Sequence, residues 1–570
     1  MNTEEYIKRG NIYADNGEYD LAIADYSKAI ELDPNNANAY YNRGDAYDDK
    51  GEYDLAIADY TKAIELDPKH AGAYQNRGIT YGKKGEYDMA IADFSKAIEL
   101  DPEDADAYHN RGYAYHLKEE YDLAIVDYNK AIEINPENAD SYYSRANSYY
   151  LKAEDVLAIV DYNKAIKLNP TYADAFNNRG TTYYDLGEYD LAIADYTKAI
   201  EFDPKKVKAY YNRGYAYDDK GEYDLAIADY NKVIELDPEN ADAYDGRGWV
   251  FYSKEEYDQA IVDHSKAIEL DPKHAGAYQN RGNAYDDKGE HDLAIADYNK
   301  AIELDPECAG FYYNRGIAFS FMKEYDRAIT DYTKAIELDP EYVSAYNNRG
   351  YARNRKGEYD LAIGDSSITI ELDPSHVSAY KIRGNAYYAK GEYDLAIVDF
   401  NKAIELDPED AYAYNRRGDV YDDTGEHDLA IVEYNIAIEL DPEDAIFYCD
   451  RGITYDNKNE YNLAIADYTK AIELDPKYAD AYYYRGNAYD SKGEYDLAIN
   501  DYTKAIELDP ENADAYNDRG IAYDSKGEQD LAIADYKKAI ELERGNSEIY
   551  YRQSTDYDNK GVSMMWLFMM

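Results

Sequence analysis

Cysteine is almost absent from this chain of 570 residues, which contains only Cys308 and Cys449. The two are widely separated in the sequence, and we expect them to lie too far apart in the fold for a disulfide bond. The chain therefore has no disulfide framework, and its cysteines indicate neither an oxidising nor a reducing compartment.

Positive charge is also scarce. The sequence has 61 lysines and arginines against 118 aspartates and glutamates, a formal net charge of −57. Such a surface repels the phosphates of nucleic acids and anionic lipids, and it attracts basic partners. We therefore expect no nucleic-acid partner and no membrane partner. Acidic residues that only solvate the outer faces of the fold would give the same composition.

Long apolar segments are missing as well. No stretch approaches the roughly 20 apolar residues of a membrane-spanning helix. The N-terminal sequence MNTEEYIKRG has neither the apolar core nor the basic leader of a signal peptide. The default expectation is a soluble protein of the cytoplasm.

Proline occurs in one register only. All 15 prolines fall on multiples of 34, from Pro34 and Pro68 to Pro510. Because proline ends helices, this placement indicates a unit of 34 residues that is repeated without insertion or deletion. A repeat array needs no central core, since each unit contacts only its neighbours.

Each unit has the pattern of two amphipathic helices. In residues 37–68 the first helix carries Tyr40, Gly44 and Tyr47 on one face, and Gly51 ends it. A single helix pair cannot bury its apolar faces alone, so neighbouring units must stack. The second helix is predicted to bury Leu55, Ala56, Ile57, Tyr60, Ala63, Ile64 and Leu66.

The unit resembles a tetratricopeptide repeat, a 34-residue pattern with small and large residues at fixed positions. The match covers sixteen units over residues 1–544, and residues 545–570 then hold the first helix of a seventeenth unit and an apolar tail. The resemblance implies an all-α fold, a right-handed superhelical solenoid of antiparallel helix pairs. In the second unit the matching residues are Tyr40, Arg43, Gly44, Tyr47, Ala56, Tyr60 and Pro68.

An arginine stands where this family generally has an apolar residue, at Arg9 and at the equivalent position of all sixteen units. An acidic residue recurs on the second helix, such as Asp25, with Glu433 as the one variant. The two positions face each other across the turn, so we predict a ladder of Arg–Asp pairs within or between adjacent units. Both members are lost together after the sixteenth unit, at Gln553 and Met569.

Two units depart from the pattern. The fifth has Ala146 and Ala153 in place of its two glycines, and the eleventh has Arg353, Ser366 and Thr369 in place of tyrosine, tyrosine and alanine. We expect the eleventh unit to have the weakest core and to open first.

Some positions of the first helix vary from unit to unit. One of them reads Tyr41, Gln75 and His109, and another begins with Asp45 and Ile79. In the repeat family these positions line the concave inner face, which is the usual binding surface. A fixed scaffold with a variable inner face is typical of a binding module, although neutral drift at exposed sites would also produce it.

The same face carries aromatic and acidic residues. We predict that Tyr41, Tyr211 and Tyr313 are aromatic anchors for an extended segment. Paired acids such as Asp48–Asp49 and Asp218–Asp219 make the groove acidic. A basic or polar guest is therefore expected.

One inner position is occupied mainly by asparagine in units 2 to 11. An asparagine amide can donate and accept, so it can bind the backbone of a peptide whatever its side chains. Similar asparagine ladders occur in the peptide-binding repeat arms of O-linked N-acetylglucosamine transferases, and this resemblance implies a peptide-binding role. The alternative is an asparagine bonded to its own array. The predicted ladder consists of Asn42, Asn76, Asn110, Asn178, Asn212, Asn280, Asn314 and Asn348.

No motif indicates catalysis. The eight histidines lack metal-ligand spacing, and the sequence has no phosphate loop, no nucleophile elbow and no residues left for a catalytic domain. We expect no enzyme activity, no cofactor and no metal. Lys381 and Asn385 match the start of the family's basic clamp for a C-terminal carboxylate, but Arg416, Ile446 and Asp450 do not continue it.

The sequence therefore predicts an interaction scaffold that binds extended, basic or polar segments of other proteins in a concave groove. An alternative is a structural protein whose arrays stack through their ends without a peptide ligand, and a remoter one is a regulatory subunit that serves an enzyme in trans. The tail VSMMWLFMM at residues 562–570 is interpreted as a cap on the last unit or as a self-association site, with a change of reading frame as the competing explanation.

Overall fold

The computed structural model describes residues 1–545, and within them the chain forms thirty-two α-helices and no strands. Gln553, Met569 and the apolar tail lie outside the described residues. The helices belong to two compact units, Met1–Lys288 and Gly289–Met570. The all-α class and the antiparallel helix pairs predicted from the sequence are confirmed.

The first compact unit contains seventeen helices in its described residues. They are α1 Thr3–Asp15, α2 Tyr19–Leu32, α3 Ala37–Asp49, α4 Tyr53–Leu66, α5 Ala71–Lys83, α6 Tyr87–Leu100, α7 Ala105–Leu117, α8 Tyr121–Ile134, α9 Ala139–Leu151, α10 Asp155–Leu168, α11 Ala173–Asp185, α12 Tyr189–Phe202, α13 Val207–Asp219, α14 Tyr223–Leu236, α15 Ala241–Ser253, α16 Tyr257–Leu270 and α17 Ala275–Asp287.

The second compact unit contains fifteen helices in its described residues. They are α18 His291–Leu304, α19 Ala309–Phe321, α20 Tyr325–Leu338, α21 Val343–Arg355, α22 Tyr359–Leu372, α23 Val377–Ala389, α24 Tyr393–Leu406, α25 Ala411–Asp423, α26 His427–Leu440, α27 Ala445–Asn457, α28 Tyr461–Leu474, α29 Ala479–Ser491, α30 Tyr495–Leu508, α31 Ala513–Ser525 and α32 Gln529–Gly545.

The turn between the two helices of a repeat requires a left-handed residue. Gly51 has a φ of +76°, and two backbone hydrogen bonds close the end of α3, from Gly51 N–H to the carbonyl of Asp48 and from Glu52 N–H to that of Tyr47. In the fifth repeat Ala153 adopts the same conformation with a φ of 57°, which glycine adopts at lower energy.

The core of most repeats is an aromatic ring that packs against a glycine. A Cβ atom on Gly44 would lie 2.8 Å from Cε1 of Tyr60, so the absence of a side chain allows α3 and α4 to approach closely. Ala56 and Ala63 are fully buried beside this ring. The prediction that Leu55 is buried is wrong: it is 48% exposed, because the buried stripe of α4 runs through the alanines and Tyr60 on the opposite side.

The first helix of each repeat lies on the inner side of the stack. Within each compact unit, consecutive first helices such as α3 and α5 contact each other. Consecutive second helices such as α4 and α6 make no contact in the described part of the chain. Each stack therefore curves with its first helices inside, which places the variable residues of these helices on the inner surface.

The predicted Arg–Asp ladder is present, and its pairs form within a repeat. Nε of Arg43 lies 2.6 Å from Oδ2 of Asp59, and Nη2 lies 2.8 Å from Oδ1. Hydrogen bonding to Asp59 raises the pKa of Arg43. The arginine also lies near the ring of Tyr40, 5.6 Å from its centroid. This two-point geometry fixes the register of the two helices.

The same arginines also connect each repeat to the one before it. The remaining Nη1 of Arg43 donates to Oγ of Ser27 at 2.9 Å, and that of Arg77 donates to Oγ1 of Thr61 at 2.9 Å. The accepting position is serine, threonine or asparagine before every later arginine, and it becomes Lys537 in the sixteenth repeat. This restriction to small polar residues is a signal that the sequence interpretation missed.

The eleventh repeat is held differently from its neighbours. Asp365 accepts hydrogen bonds from both Arg349 and Arg353, at 2.7 Å each. Ser366 replaces the core tyrosine, and its buried Oγ has no hydrogen-bond partner. The second arginine adds a charge contact, but the serine leaves a polar atom where the other repeats have an aromatic ring.

Candidate functional site

The asparagines of the ladder donate to the preceding first helix. Nδ2 of Asn76 lies 2.8 Å from Oδ1 of Asp45 and 2.9 Å from the hydroxyl of Tyr41. Asn178 repeats this arrangement, with its Nδ2 3.0 Å from Oδ1 of Asn147. The amide donors therefore join neighbouring repeats, as the alternative interpretation of the ladder expected.

Most other members of the ladder are bonded in the same way. Asn110 is the exception: it has no hydrogen bond among the described residues, because Ile79 occupies the acceptor position before it. Asn314, in contrast to Asn110, does have an interaction partner. The remaining donors are Asn42 to Asn11 at 3.1 Å, Asn212 to Thr181 at 3.4 Å, Asn280 to Asp245 at 3.2 Å and Asn348 to Tyr313 at 3.1 Å.

The acceptor position also receives a hydrogen bond from the second helix of its own repeat. The hydroxyl of Tyr60 donates to Oδ1 of Asp45 at 2.7 Å, and that of Tyr26 donates to Asn11 at 2.8 Å. Burial raises the pKa of Asp45, and these hydrogen bonds oppose that rise. One polar atom thus ties together a core tyrosine, a first helix and the next repeat.

The acceptor side of the ladder remains open in several repeats. The Oδ1 atoms of Asn76, Asn110, Asn212 and Asn280 receive no hydrogen bond among the described residues, and all four side chains are half-buried on the inner surface. In Asn178 this oxygen is already occupied by the amide of Asn177 at 3.0 Å. The open oxygens can accept from the backbone N–H groups of a bound segment.

The three tyrosines predicted as anchors lie between successive repeats. Tyr41 packs against His70 with ring centroids 4.7 Å apart, and its hydroxyl accepts from Asn76. Burial raises the pKa of Tyr41 to about 12. Tyr211 and Tyr313 are likewise half-buried and packed on core rings. Their free surface is smaller than the sequence suggested.

Larger exposed aromatics stand at the neighbouring variable position, the one that Asp45 occupies in the second repeat. Tyr113 is 50% exposed, Tyr215 45% and Trp249 39%, and all three lie in the first compact unit. Tyr351 is the exposed aromatic at this position of the second unit. The sequence interpretation recognised the position as variable but did not select its aromatics, because spacing alone does not show which of two inner positions is covered by the next repeat.

Beyond the last asparagine of the ladder, one repeat of the second compact unit has an aspartate at the ladder position. Asp450 stands where asparagine would donate, and it faces Asp419 at the acceptor position, with the same spacing as Asn76 and Asp45. Burial raises the pKa of both carboxyls, and the charge of Asp450 adds to the rise at Asp419. Arg416 pairs with Oδ2 of Asp419 and lowers both pKa values in part, but the amide donor of the ladder is missing between the two carboxyls.

The residues of the incomplete basic clamp are paired within the array. Lys381 Nζ lies 2.5 Å from Asp410, and Nδ2 of Asn385 lies 3.0 Å from the hydroxyl of Tyr412.

In residues 1–545 no cluster of histidines, cysteines and acids has the arrangement of a metal site. None of the helices in that range combines the length and apolar character needed to cross a bilayer.

Comparison with known families finds matches along the whole array. The description of the first matching model is TPR repeat, and that of the other two is tetratricopeptide repeat. The first model matches residues 10–51, 80–119, 157–187, 180–219, 248–289, 282–320, 384–425, 418–459, 457–491 and 486–527. The other two match residues 37–70, 105–138, 207–240, 309–342 and 513–546, and residues 59–92 and 331–364.

Several solved structures are similar to parts of the chain. MamA is 36% identical, with 29% of this chain and 96% of that chain covered and a TM-score of 0.27. YrrB, a TPR protein with an unusual peptide-binding site, is 30% identical over 32% of this chain and 95% of its own, with a TM-score of 0.29. A tetratricopeptide repeat protein from Parabacteroides merdae is 22% identical over 44% and 98%, with a TM-score of 0.36. No curated protein matches the chain.

Proposed function

The chain belongs to the tetratricopeptide repeat family, and we propose that it is an interaction scaffold whose first helices bind an extended segment of another protein. The family and its repeat fold support a scaffold for contacts between proteins. The type of segment and its place of binding are the further content of the proposal.

The observation that carries the proposal is the exposure of large aromatics on the inner surface. Tyr113, Tyr215 and Trp249 project from first helices of one compact unit, whereas the other aromatics of their repeats are buried or half-buried. Exposed tyrosine and tryptophan are enriched in binding surfaces because they supply large contact areas with few rotatable bonds. Aromatic side chains in this setting are suited to packing on a bound peptide.

The charge of the inner surface selects the guest. Acidic pairs such as Asp48–Asp49 and Asp218–Asp219 also lie on first helices, in a chain with a net charge of −57. A basic or polar segment is attracted to such a surface, and an acidic one is repelled. Binding should therefore weaken as salt concentration rises.

The asparagine ladder and its tyrosines complete the proposed site. The open Oδ1 atoms accept from the backbone of the segment, while the amide donors hold the repeats in place. Tyr41, Tyr211 and Tyr313 are half-buried, so only the exposed part of each side chain can contact the segment. The full proposed set is Asn42, Asn76, Asn110, Asn178, Asn212, Asn280, Asn314 and Asn348 together with these three tyrosines.

Selection from a library of displayed peptides tests the proposal. We expect selected peptides to contain more lysine and arginine than aspartate and glutamate, and to lose binding to the variant Tyr215→Ala/Trp249→Ala. The variant Val262→Ala is the matched control, since Val262 is 66% exposed on a second helix. Asn110→Ala is informative as well, because this residue makes no hydrogen bond within the described array.

Two results would contradict the proposal. Equal peptide binding by the aromatic variant and the Val262→Ala control would show that the exposed aromatics of the first helices do not form the site. A failure to select any peptide, together with a molecular mass that rises with protein concentration, would favour arrays that stack through their ends.

A further inference from the structure

At one position near the end of the first helix, the side chain forms a hydrogen bond to the first helix of the next repeat. Where it is tyrosine, the hydroxyl donates to an aspartate 35 residues later, as Tyr150 does to Asp185 at 2.7 Å and Tyr252 to Asp287 at 2.5 Å. We name this the socket position, meaning the position of Tyr150 and its equivalents in the other repeats.

At two repeats in which the socket position is aspartate, the neighbouring first helix supplies a donor. Oδ2 of Asp48 lies 2.5 Å from Nζ of Lys83, and its Oδ1 accepts from Thr80 at 2.8 Å. Oδ2 of Asp422 likewise accepts from Nδ2 of Asn457 at 3.1 Å. The array itself thus shows that an ammonium group fits this carboxylate.

Three socket aspartates lack that donor. In Asp218, Asp456 and Asp490 the residue 35 positions later is serine, and none of the three carboxylates has a hydrogen bond or ion pair among the described residues. The Oδ1 atoms of Asp456 and Asp490 are buried and without a partner. A buried carboxylate oxygen without a donor is energetically unfavourable, so the sites at Asp456 and Asp490 favour a cation.

Asp218 lies among the exposed aromatics. Tyr215 precedes it by three residues, on the same face of α13, and Trp249 occupies the position of Tyr215 on the adjoining helix α15. The ring of Tyr215 also contacts that of Tyr184, with centroids 5.5 Å apart. The hydroxyl of Tyr184 is already bonded to Asp219, which leaves Asp218 as the unpaired member of the acidic pair.

Electrostatics distinguish Asp218 from an ordinary surface acid. Partial burial and the neighbouring charge of Asp219 raise the pKa of Asp218 to about 6. A cation placed at this carboxylate would stabilise its ionised form and so oppose both effects. Aromatic faces beside it would add a cation–π attraction to an ammonium or guanidinium group.

We propose that Asp218, Asp456 and Asp490 each bind a lysine or arginine side chain of an extended segment, Asp218 in the first compact unit and the other two in the second. The inference rests on the proposed function and names the side chains that the scaffold recognises. The guest cation takes the place that Lys83 occupies beside Asp48. Asp218 adds aromatic contacts from Tyr215 and Trp249.

The experiment uses the full chain and a 15-residue peptide of glycine, serine and lysine with blocked ends. Binding is measured at low salt by isothermal titration, and by the fluorescence of Trp249 in a Trp566→Phe background, since the chain has 2 tryptophans. The peptide with acetylated lysines is the chemical control, and we expect it to bind at least ten-fold more weakly.

Two substitutions test the site at Asp218, one by supplying an internal cation and the other by removing the carboxylate. Ser253→Lys places an internal ammonium where Lys83 lies in the second repeat, and Asp218→Asn removes the charge. We expect each to weaken peptide binding about five-fold and to suppress the fluorescence change of Trp249. Ser253→Lys should also raise the melting temperature slightly without peptide, which shows that the internal lysine occupies the socket.

Matched controls carry the same change of net charge elsewhere. Glu235→Gln removes a negative charge from an exposed side chain of the second helix α14, and Asn35→Lys adds a lysine at an exposed turn, where the third repeat has Lys69. Both should bind the peptide as the wild type does. If the wild type binds but Ser253→Lys and Asp218→Asn bind equally well, the inference is overturned and the scaffold stands. If the wild type binds no lysine peptide, both are overturned.

Discussion

Arg213 and Asp229 form a two-point ion pair across the helix pair of their repeat. Nε of the arginine lies 2.7 Å from Oδ2 of the aspartate, and Nη2 lies 2.7 Å from Oδ1. The third nitrogen donates to Oγ1 of Thr197 on the preceding repeat at 2.9 Å. One side chain thus connects three helices, α12, α13 and α14, and the same arrangement recurs along the array.

Removing this arginine should open its repeat locally. Arg213→Met leaves Asp229 buried without its partner, and we expect a loss of about 3 kcal/mol, near the lower end for a broken buried pair. Because a long array does not unfold in two states, the measurement is hydrogen exchange of α13 and α14. A cycle with Asp229→Ala should give a coupling energy of at least about 1 kcal/mol.

Arg327→Ala is the matched control for that cycle. Its partner Glu324 lies on the surface and the arginine side chain is 60% exposed, so we expect a loss below about 1 kcal/mol. Zero coupling between Arg213 and Asp229 would contradict the register role of the ladder.

Asp450→Asn should stabilise the second compact unit at neutral pH. The folded pKa values of Asp419 and Asp450 are raised by burial, so the folded state binds more protons than the unfolded state between about pH 4 and neutrality, and stability falls as pH rises through that range. The asparagine restores the donor that Asn76 provides to Asp45.

The measurement is hydrogen exchange of α25 and α27 at pH 5 and pH 8, corrected for the intrinsic exchange rate. We expect a gain of about 1–2 kcal/mol at pH 8 and little change at pH 5, as for one restored hydrogen bond and one removed charge. A variant that is less stable than the wild type at pH 8 would contradict an unfavourable effect of the two buried carboxyls on stability.

Ala153→Gly should stabilise the fifth repeat by about 0.5–1 kcal/mol, because glycine adopts the left-handed turn conformation without steric conflict. The opposite sign is expected for Ala24→Gly, since Ala24 is exposed within α2 and glycine there lowers stability by about 1 kcal/mol. Local hydrogen exchange of the two repeats measures both changes. Equal destabilisation by both substitutions would contradict the assigned turn geometry.

The eleventh repeat should exchange its amide protons faster than its neighbours. Ser366→Tyr replaces a buried hydroxyl without a partner by the aromatic ring of the other repeats, and we expect slower exchange in α21 and α22 as a result. If the wild-type eleventh repeat is already as protected as the tenth and twelfth, the two arginines on Asp365 compensate fully and the prediction of a weak core is wrong.

Much of the fold can be predicted from the sequence because repetition reveals which positions are constrained. The prolines, the turn glycines and the arginines with their aspartates each recur at fixed spacing, and each has a local physical cause. Leu55 shows the limit of this approach. Its spacing fits an apolar stripe, but the helix has more apolar residues than its buried stripe can contain, and Leu55 lies outside the stripe.

The candidate site is less predictable, because it depends on contacts between repeats. Asn76 and Tyr41 both fit an inner surface by spacing, yet they bond each other and so cover part of it. The open state of Asp218 likewise depends on Ser253, which lies 35 residues away and is unremarkable by itself. Such a pairing is visible in the sequence only when the positions that complete one another are known.

Photochemical cross-linking tests the central claim most directly. A lysine peptide with a photoreactive group is irradiated with the full chain, and the modified residues are identified by mass spectrometry. The account predicts cross-links on the first helices, around Tyr215 and Trp249. Cross-links confined to outer residues of second helices, such as Leu225 and Val262, would contradict it.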